Sequence, residues 1–147
     1  MFKHHLIQFI IMFFIGLTLN PMNILSYRLN DLYLSLTLVY GAAFMASNMI
    51  WSHELVMIFS HHIKPNYTVI IIGILMTLIT GLLLRSQFKV SDNAWLRRMI
   101  PHHSTALTTS TKILKHSTNP QIKDLATEII KTQEKEITQM KNLLKGY

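Results

Sequence analysis

Three long apolar stretches fill the first 90 positions of this chain, and that lopsided distribution limits what it can fold into. Residues 6–25 carry no charge and are interrupted mainly by Gln8, Asn20 and Asn23. Residues 32–59 stay uncharged as far as Trp51, meet His53 and Glu54, and turn apolar again at Leu55. Residues 67–84 are rich in Ile and Leu, uncharged, and bounded by Lys64-Pro65 and Arg85. A helix needs roughly 20 such residues to cross a bilayer, so three transmembrane helices are expected at about 6–25, 32–59 and 67–84. Lys3 ahead of an apolar run at 9–19 also fits a secretory signal, but no small-x-small cleavage site follows, which favours a retained anchor.

Charge follows the same division. Residues 1–90 hold five basic residues (Lys3, Arg28, Lys64, Arg85, Lys89) and two acids (Asp31, Glu54), while residues 91–147 hold the other nine bases and five acids. The expected organisation is therefore a membrane region, 1–90, and a water-facing domain, 91–147. The formal charge of +7 does not indicate a nucleic-acid partner, because the bases are spread among acids without an aromatic-plus-basic patch. The chain has no cysteine, which excludes disulfides, thiolate zinc sites and iron–sulfur ligation.

In the last third, Ser91 or Asp92 supplies a helix cap. Trp95, Met99, Ala106 and Ile113 recur at helical spacing, as do Leu96, Ile100, Leu107 and Leu114. Asn119-Pro120 starts a second helix, along which Ile122, Leu125, Ile129, Gln133, Glu136, Met140 and Leu143 form a stripe. Two long helices joined by a few residues make an antiparallel hairpin. With the turn near residue 118, His103 should face Gln133, and Met99 should lie near Glu136, Ile137 and Met140. The fold class is thus all-α: three membrane helices followed by a C-terminal helical hairpin.

Met99-Ile100-Pro101-His102-His103 brings a thioether and two imidazoles into five residues. Met99 shares a face with His103 and lies near His102. Soft and borderline donors on two packed helices suit copper, and neutral imidazole with thioether suits Cu(I) better than hard cations. Methionine at helical spacing is also ordinary core filler, and Gln133 could simply hydrogen-bond a core histidine. Glu136 weighs toward a metal, because a carboxylate in an apolar stripe needs a partner. A second line, Met45, Met49, His53, Met57 and His61, repeats every four residues along the middle apolar segment; it could be a relay of soft donors, but plain packing is the better account, since methionine is ordinary in apolar helices. His4-His5 and His61-His62 are expected at the membrane surface.

Other chemistries lack their residues. His53-Glu54 starts like a zinc-protease motif, but Met57 stands where the second His is required. There is no Glu-x-x-His of a di-iron bundle, no phosphate-binding glycine loop and no serine triad, so no enzyme activity is expected.

The pentapeptide, with Gln133-x-x-Glu136-Ile137-x-x-Met140 downstream, resembles the bacterial domain-of-unknown-function family 305. The similarity spans about residues 91–145 and includes Trp95, Ala106, Asn119-Pro120 and Ala126-x-x-Ile129-Ile130. Leu84-Arg85-Ser86-Gln87 and the apolar segments resemble the membrane-anchored branch. The resemblance implies a ferritin-like fold, copper binding in some members, and metal ligands at Met99, His102, His103, Glu136 and Met140. It also implies a bacterial inner-membrane setting. This chain has Thr109 where the family commonly has Met, so one thioether is lost. A ferritin-like bundle needs four helices, so two chains are expected to pair their hairpins as a homodimer. The alternative function is a metal-free, membrane-anchored interaction module whose His-Gln-Glu layer only sets helix register. The flanking bases place the C-terminal domain in the cytoplasm, whereas copper handling by relatives suggests the opposite face.

Overall fold

The computed structural model describes residues 2–61 and 64–147, and the described residues are helical with no strand. The helices are α1 (Phe2–Thr18), the single turn α2 (Pro21–Ile24), α3 (Leu36–His61), α4 (Tyr67–Ser86), α5 (Asp92–His116) and α6 (Pro120–Leu144), with a 3-10 turn at Leu29–Asp31. His62 lies outside the described residues, and so does the side chain of His61.

Local chemistry sets the helix ends. Asn66 caps α4 by accepting from the Val69 amide, and Gln87 closes that helix at φ 51, the left-handed conformation that ends a helix. Ser91 caps α5 by accepting from Ala94 N, with Asp92 in its first turn and Lys115 and His116 in its last, so the side-chain charges oppose the helix dipole at both ends. Asn119 caps α6 through the Gln121 amide, and Pro120 occupies the first turn, where its missing N–H costs nothing.

The chain forms two compact units. The first groups the described residues of Met1–Thr18 and Thr37–Lys89. In it α3 runs antiparallel to both α1 and α4. Against α4, Thr37 Oγ1 donates to Gln87 Oε1 at 2.7 Å near one end, and Trp51 Nε1 donates to Thr77 Oγ1 at 3.3 Å further along. Glycine allows the close approach: a Cβ on Gly73 would stand 3.0 Å from the Trp51 Cβ, and one on Gly16 would stand 3.1 Å from the Ala42 Cα. The buried side of α3 carries Leu38, Ala42, Ala46 and Ile50, while Ile11 and Phe14 of α1 and Leu75, Leu78 and Leu82 of α4 stay exposed as an apolar surface.

Among the described residues, two helical stretches are long and apolar enough to cross a membrane, Lys3–Ile24 and Tyr67–Ser86, and the first lies where a signal sequence would lie. The expectation of a third at residues 32–59 is corrected. Helix α3 begins only at Leu36, and Ser47, Asn48, Ser52, His53 and Glu54 dilute its apolar character.

The second unit groups Leu19–Leu36 with Val90–Tyr147. Residues 19–36, read from the sequence as part of the membrane region, thus belong with the C-terminal helices. Helix α6 runs back along α5: the Tyr147 hydroxyl donates to Asp92 Oδ2 at 3.2 Å at the far end of the pair. Leu96, Ile100, Leu107, Ile137 and Met140 form the core, with Tyr33, Met99, Ile130 and Leu144 against it. The buried stripe of α6 is therefore Ala126, Ile130, Ile137 and Met140, one position round from the expected one; Ile122, Leu125 and Leu143 are exposed.

The segment 19–36 is fastened by Asp31, which is fully buried. Its Oδ2 accepts from Ser104 Oγ on α5 at 2.6 Å, and its Oδ1 accepts from Lys141 Nζ on α6 at 2.5 Å. Ser104 Oγ also accepts from the Tyr27 amide at 2.8 Å, and Arg97 lies over the Tyr33 ring at 5.7 Å. Breaking a buried ion pair costs roughly 3–5 kcal/mol. The lower end applies here, because the Lys141 side chain is 28% exposed. Asp31→Ala should accordingly lower the thermal midpoint of the full chain in detergent and speed amide exchange across residues 19–36. Unchanged exchange there would contradict this role.

Candidate metal centre

Helix α5 carries the pentapeptide in its first half. Pro101 is buried inside the helix, and its missing N–H leaves the Arg97 carbonyl without its usual donor. The helix nevertheless continues unbroken to His116. Met99 is half-buried and packs on the apolar core that contains Met140, itself only 7% exposed. His103 is mostly buried and turned toward α6, whereas His102 is exposed; the two rings lie 6.0 Å apart at 71°.

His103 meets Glu136, with Nδ1 3.0 Å from Oε2. The distance is that of an ion pair, but the carboxylate lies off the ring N–H direction, and the buried Nδ1 makes no hydrogen bond. The geometry thus describes a close approach of two donors rather than a satisfied pair. The sequence reading set His103 opposite Gln133; the observed partner is one turn further along α6. Side chains on each helix lean toward its own N-terminus. His103 therefore reaches away from the loop and Glu136 reaches toward it, which shifts the matched pair. Gln133 is half-buried nearby in sequence, and Thr109 donates only to its own helix, to Thr105 O at 3.1 Å.

Among the described residues, no three of His, Asp and Glu are arranged to hold a metal ion. An ion at this level would take one imidazole, one carboxylate and thioether sulfur, a donor set that suits a soft cation. A further thioether went unnoticed in the sequence. Met22 of α2 places Sδ 2.7 Å from the Arg98 guanidinium, and its carbonyl accepts from Thr105 Oγ1 at 3.4 Å. Arg98 and Thr105 lie one turn before and after His102. No spacing rule links residue 22 to 102, so only the fold could show this. The line along α3 does not gather: Met45 and Met49 are exposed at 61% and 41%, while His53 and Met57 turn toward a separate cleft.

Residues 82–144 match the domain of unknown function DUF305. The chain is 34% identical over 131 residues to the uncharacterized protein L153 of Acanthamoeba polyphaga mimivirus, a match covering 89% of this chain and 85% of the viral one. No solved structure matches it. The chain belongs to the same family as that viral protein, and its DUF305 match begins within the first unit and covers most of Val90–Tyr147 of the second.

The His102 imidazole is held below its ordinary value of 6.5, first by desolvation and then by the neighbouring His103 and Arg98. A lowered value means the folded chain binds fewer protons than the unfolded one. The contribution to stability is fully present above pH 6.5 and is lost as pH falls through the folded value. It is small, because the ring is exposed. In a histidine NMR titration of the metal-free chain, His102 should titrate at lower pH folded than in urea. Titration at or above the unfolded value would contradict the geometry.

Proposed function

We propose that this chain is a membrane-anchored copper-binding protein that holds Cu(I) between α5 and α6 for metal handling or resistance. Met99, His103, Glu136 and Met140 are the ligand set, with His102 on the adjacent face and Gln133 as an outer hydrogen-bonding partner. The observation that supports this best is the buried His103 Nδ1, which stands 3.0 Å from a carboxylate without a hydrogen bond, on the same helix pair as the half-buried Met99 and the buried Met140. A nitrogen in that state is free to bind an ion, and the carboxylate can complete or orient the site. The resemblance to a family with copper-binding members supports this reading, with a bacterial inner membrane as the proposed setting. Helices α1 and α4 anchor it.

The second reading is a metal-free interaction module. The exposed stripe Trp95, Ile113, Ile122, Leu125 and Leu143 supports it, because a two-helix layer leaves that face without cover. A second copy of the chain would complete a four-helix, ferritin-like bundle there. The two readings coexist if the dimer also binds copper.

Titrating the full chain in lipid nanodiscs with Cu(I) against a competing chelator separates them. With His4→Ala and His53→Ala in both proteins, so that the other histidine cluster contributes nothing, the chain with Met99 and His103 intact should bind, and Met99→Ala with His103→Ala should weaken binding at least ~10-fold, no less than the loss of an outer-shell partner costs. Equal affinity in both would remove the copper reading and leave the interaction module.

A further inference from the structure

We propose a second metal site, in the first unit, where His4, His5 and His53 bind a single copper or zinc ion with Glu54 and Met57 beside them. This site is separate from the one between α5 and α6 and does not depend on it. The three imidazoles form a near-equilateral triangle, with ring centres 5.7 Å apart for His4–His5 and 6.1 Å for both His4–His53 and His5–His53. Imidazoles sharing one ion through bonds of about 2.0–2.1 Å stand roughly 5–6 Å apart centre to centre. The rings are therefore within about an ångström of coordinating separation. Their nitrogens do not yet converge. His4 is exposed and His53 half-buried, so neither ring is locked by burial against the rotation that would aim it.

His5 is the fixed member. It is 7% exposed, its Nε2 lies 3.0 Å from Glu54 Oε1, and its Nδ1 is buried with no hydrogen-bond partner. Glu54 is also buried, and its other oxygen accepts from the Asn66 amide at 3.2 Å. A carboxylate on one ring nitrogen, itself held by a backbone donor, is the arrangement that orients a histidine so that its other nitrogen can bind metal. Two ionisable residues buried in an otherwise apolar helical unit also need a reason, and functional sites are the usual one. His4, His5, His53, Glu54, Met57 and Lys64 line a cleft of about 380 Å³ there, large enough to admit a hydrated ion. The Lys64 ammonium opposes a cation, but its long stem can keep the charge in water. Imidazole suits both copper and zinc, while Met57 favours Cu(I) and Glu54 favours Zn(II).

The test uses the full chain in nanodiscs, loaded with Cu(I) or with Zn(II) and desalted before metal analysis. The Met99→Ala/His103→Ala background silences the other centre. That background should retain one ion per chain, and adding His4→Ala with His53→Ala should remove it. These two residues are chosen because the buried His5–Glu54 pair then stays intact; circular dichroism should show unchanged helix content. X-ray absorption of the retained ion should show at least two imidazoles. No retained ion, an ion unaffected by the His4 and His53 substitutions, or an ion without imidazole ligands would each overturn the proposal. A wild type that holds no more metal than the Met99/His103 variant would instead count against the centre on α5 and α6 alone.

Discussion

A single buried carboxylate sets the geometry of the C-terminal unit. Asp31 takes one hydrogen bond from Ser104 on α5 and one from Lys141 on α6, so it ties together both helices and the segment before α3. Apolar ridges alone permit two helices to slide by a turn, about 5.4 Å. A carboxylate with a donor on each helix does not, because sliding would leave a buried charge without its partner. Ser104 immediately follows His103, and Lys141 lies just over a turn beyond Glu136. The bond that fixes the register thus acts beside His103 and Glu136, the pair proposed to hold an ion.

Much of this was legible in the sequence, and the failures have physical causes. Helix ends were readable because caps are local: Ser91, Asn119 and Pro120 announce themselves within four residues. The apolar stripe of α6 was misplaced by one position because Ile122, Leu125 and Leu143 satisfy helical spacing as well as the buried residues do. Periodicity identifies an apolar face but not which of two apolar faces is covered. His103 was matched to Gln133 because counting from the loop ignores the lean of side chains along each helix. Asp31 counts in the sequence only among the charges of residues 1–90, since nothing local shows that a carboxylate will be buried by residues over 70 positions away. The middle segment has the length of a span, but Ser47, Asn48, Ser52, His53 and Glu54 dilute its apolar character.

The two units differ in how they treat histidine. In the C-terminal unit, His103 is inserted between two helices whose core carries Met140 with Met99 packed against it. In the first unit, His5 is held by Glu54 at one end of a bundle whose outer surface is apolar. Each combines a buried ring nitrogen that lacks a hydrogen bond with a carboxylate 3.0 Å away. A buried polar atom without a partner carries a free-energy cost, and the chain bears it in both units.

The most direct measurement is copper X-ray absorption on the Cu(I)-loaded full chain carrying His4→Ala and His53→Ala, so that only the centre between α5 and α6 contributes. The expected spectrum has thioether sulfur together with nitrogen or oxygen in the first coordination shell, and it loses sulfur on Met99→Ala. A shell of light atoms alone, unchanged by that substitution, would contradict a copper centre built on this helix pair.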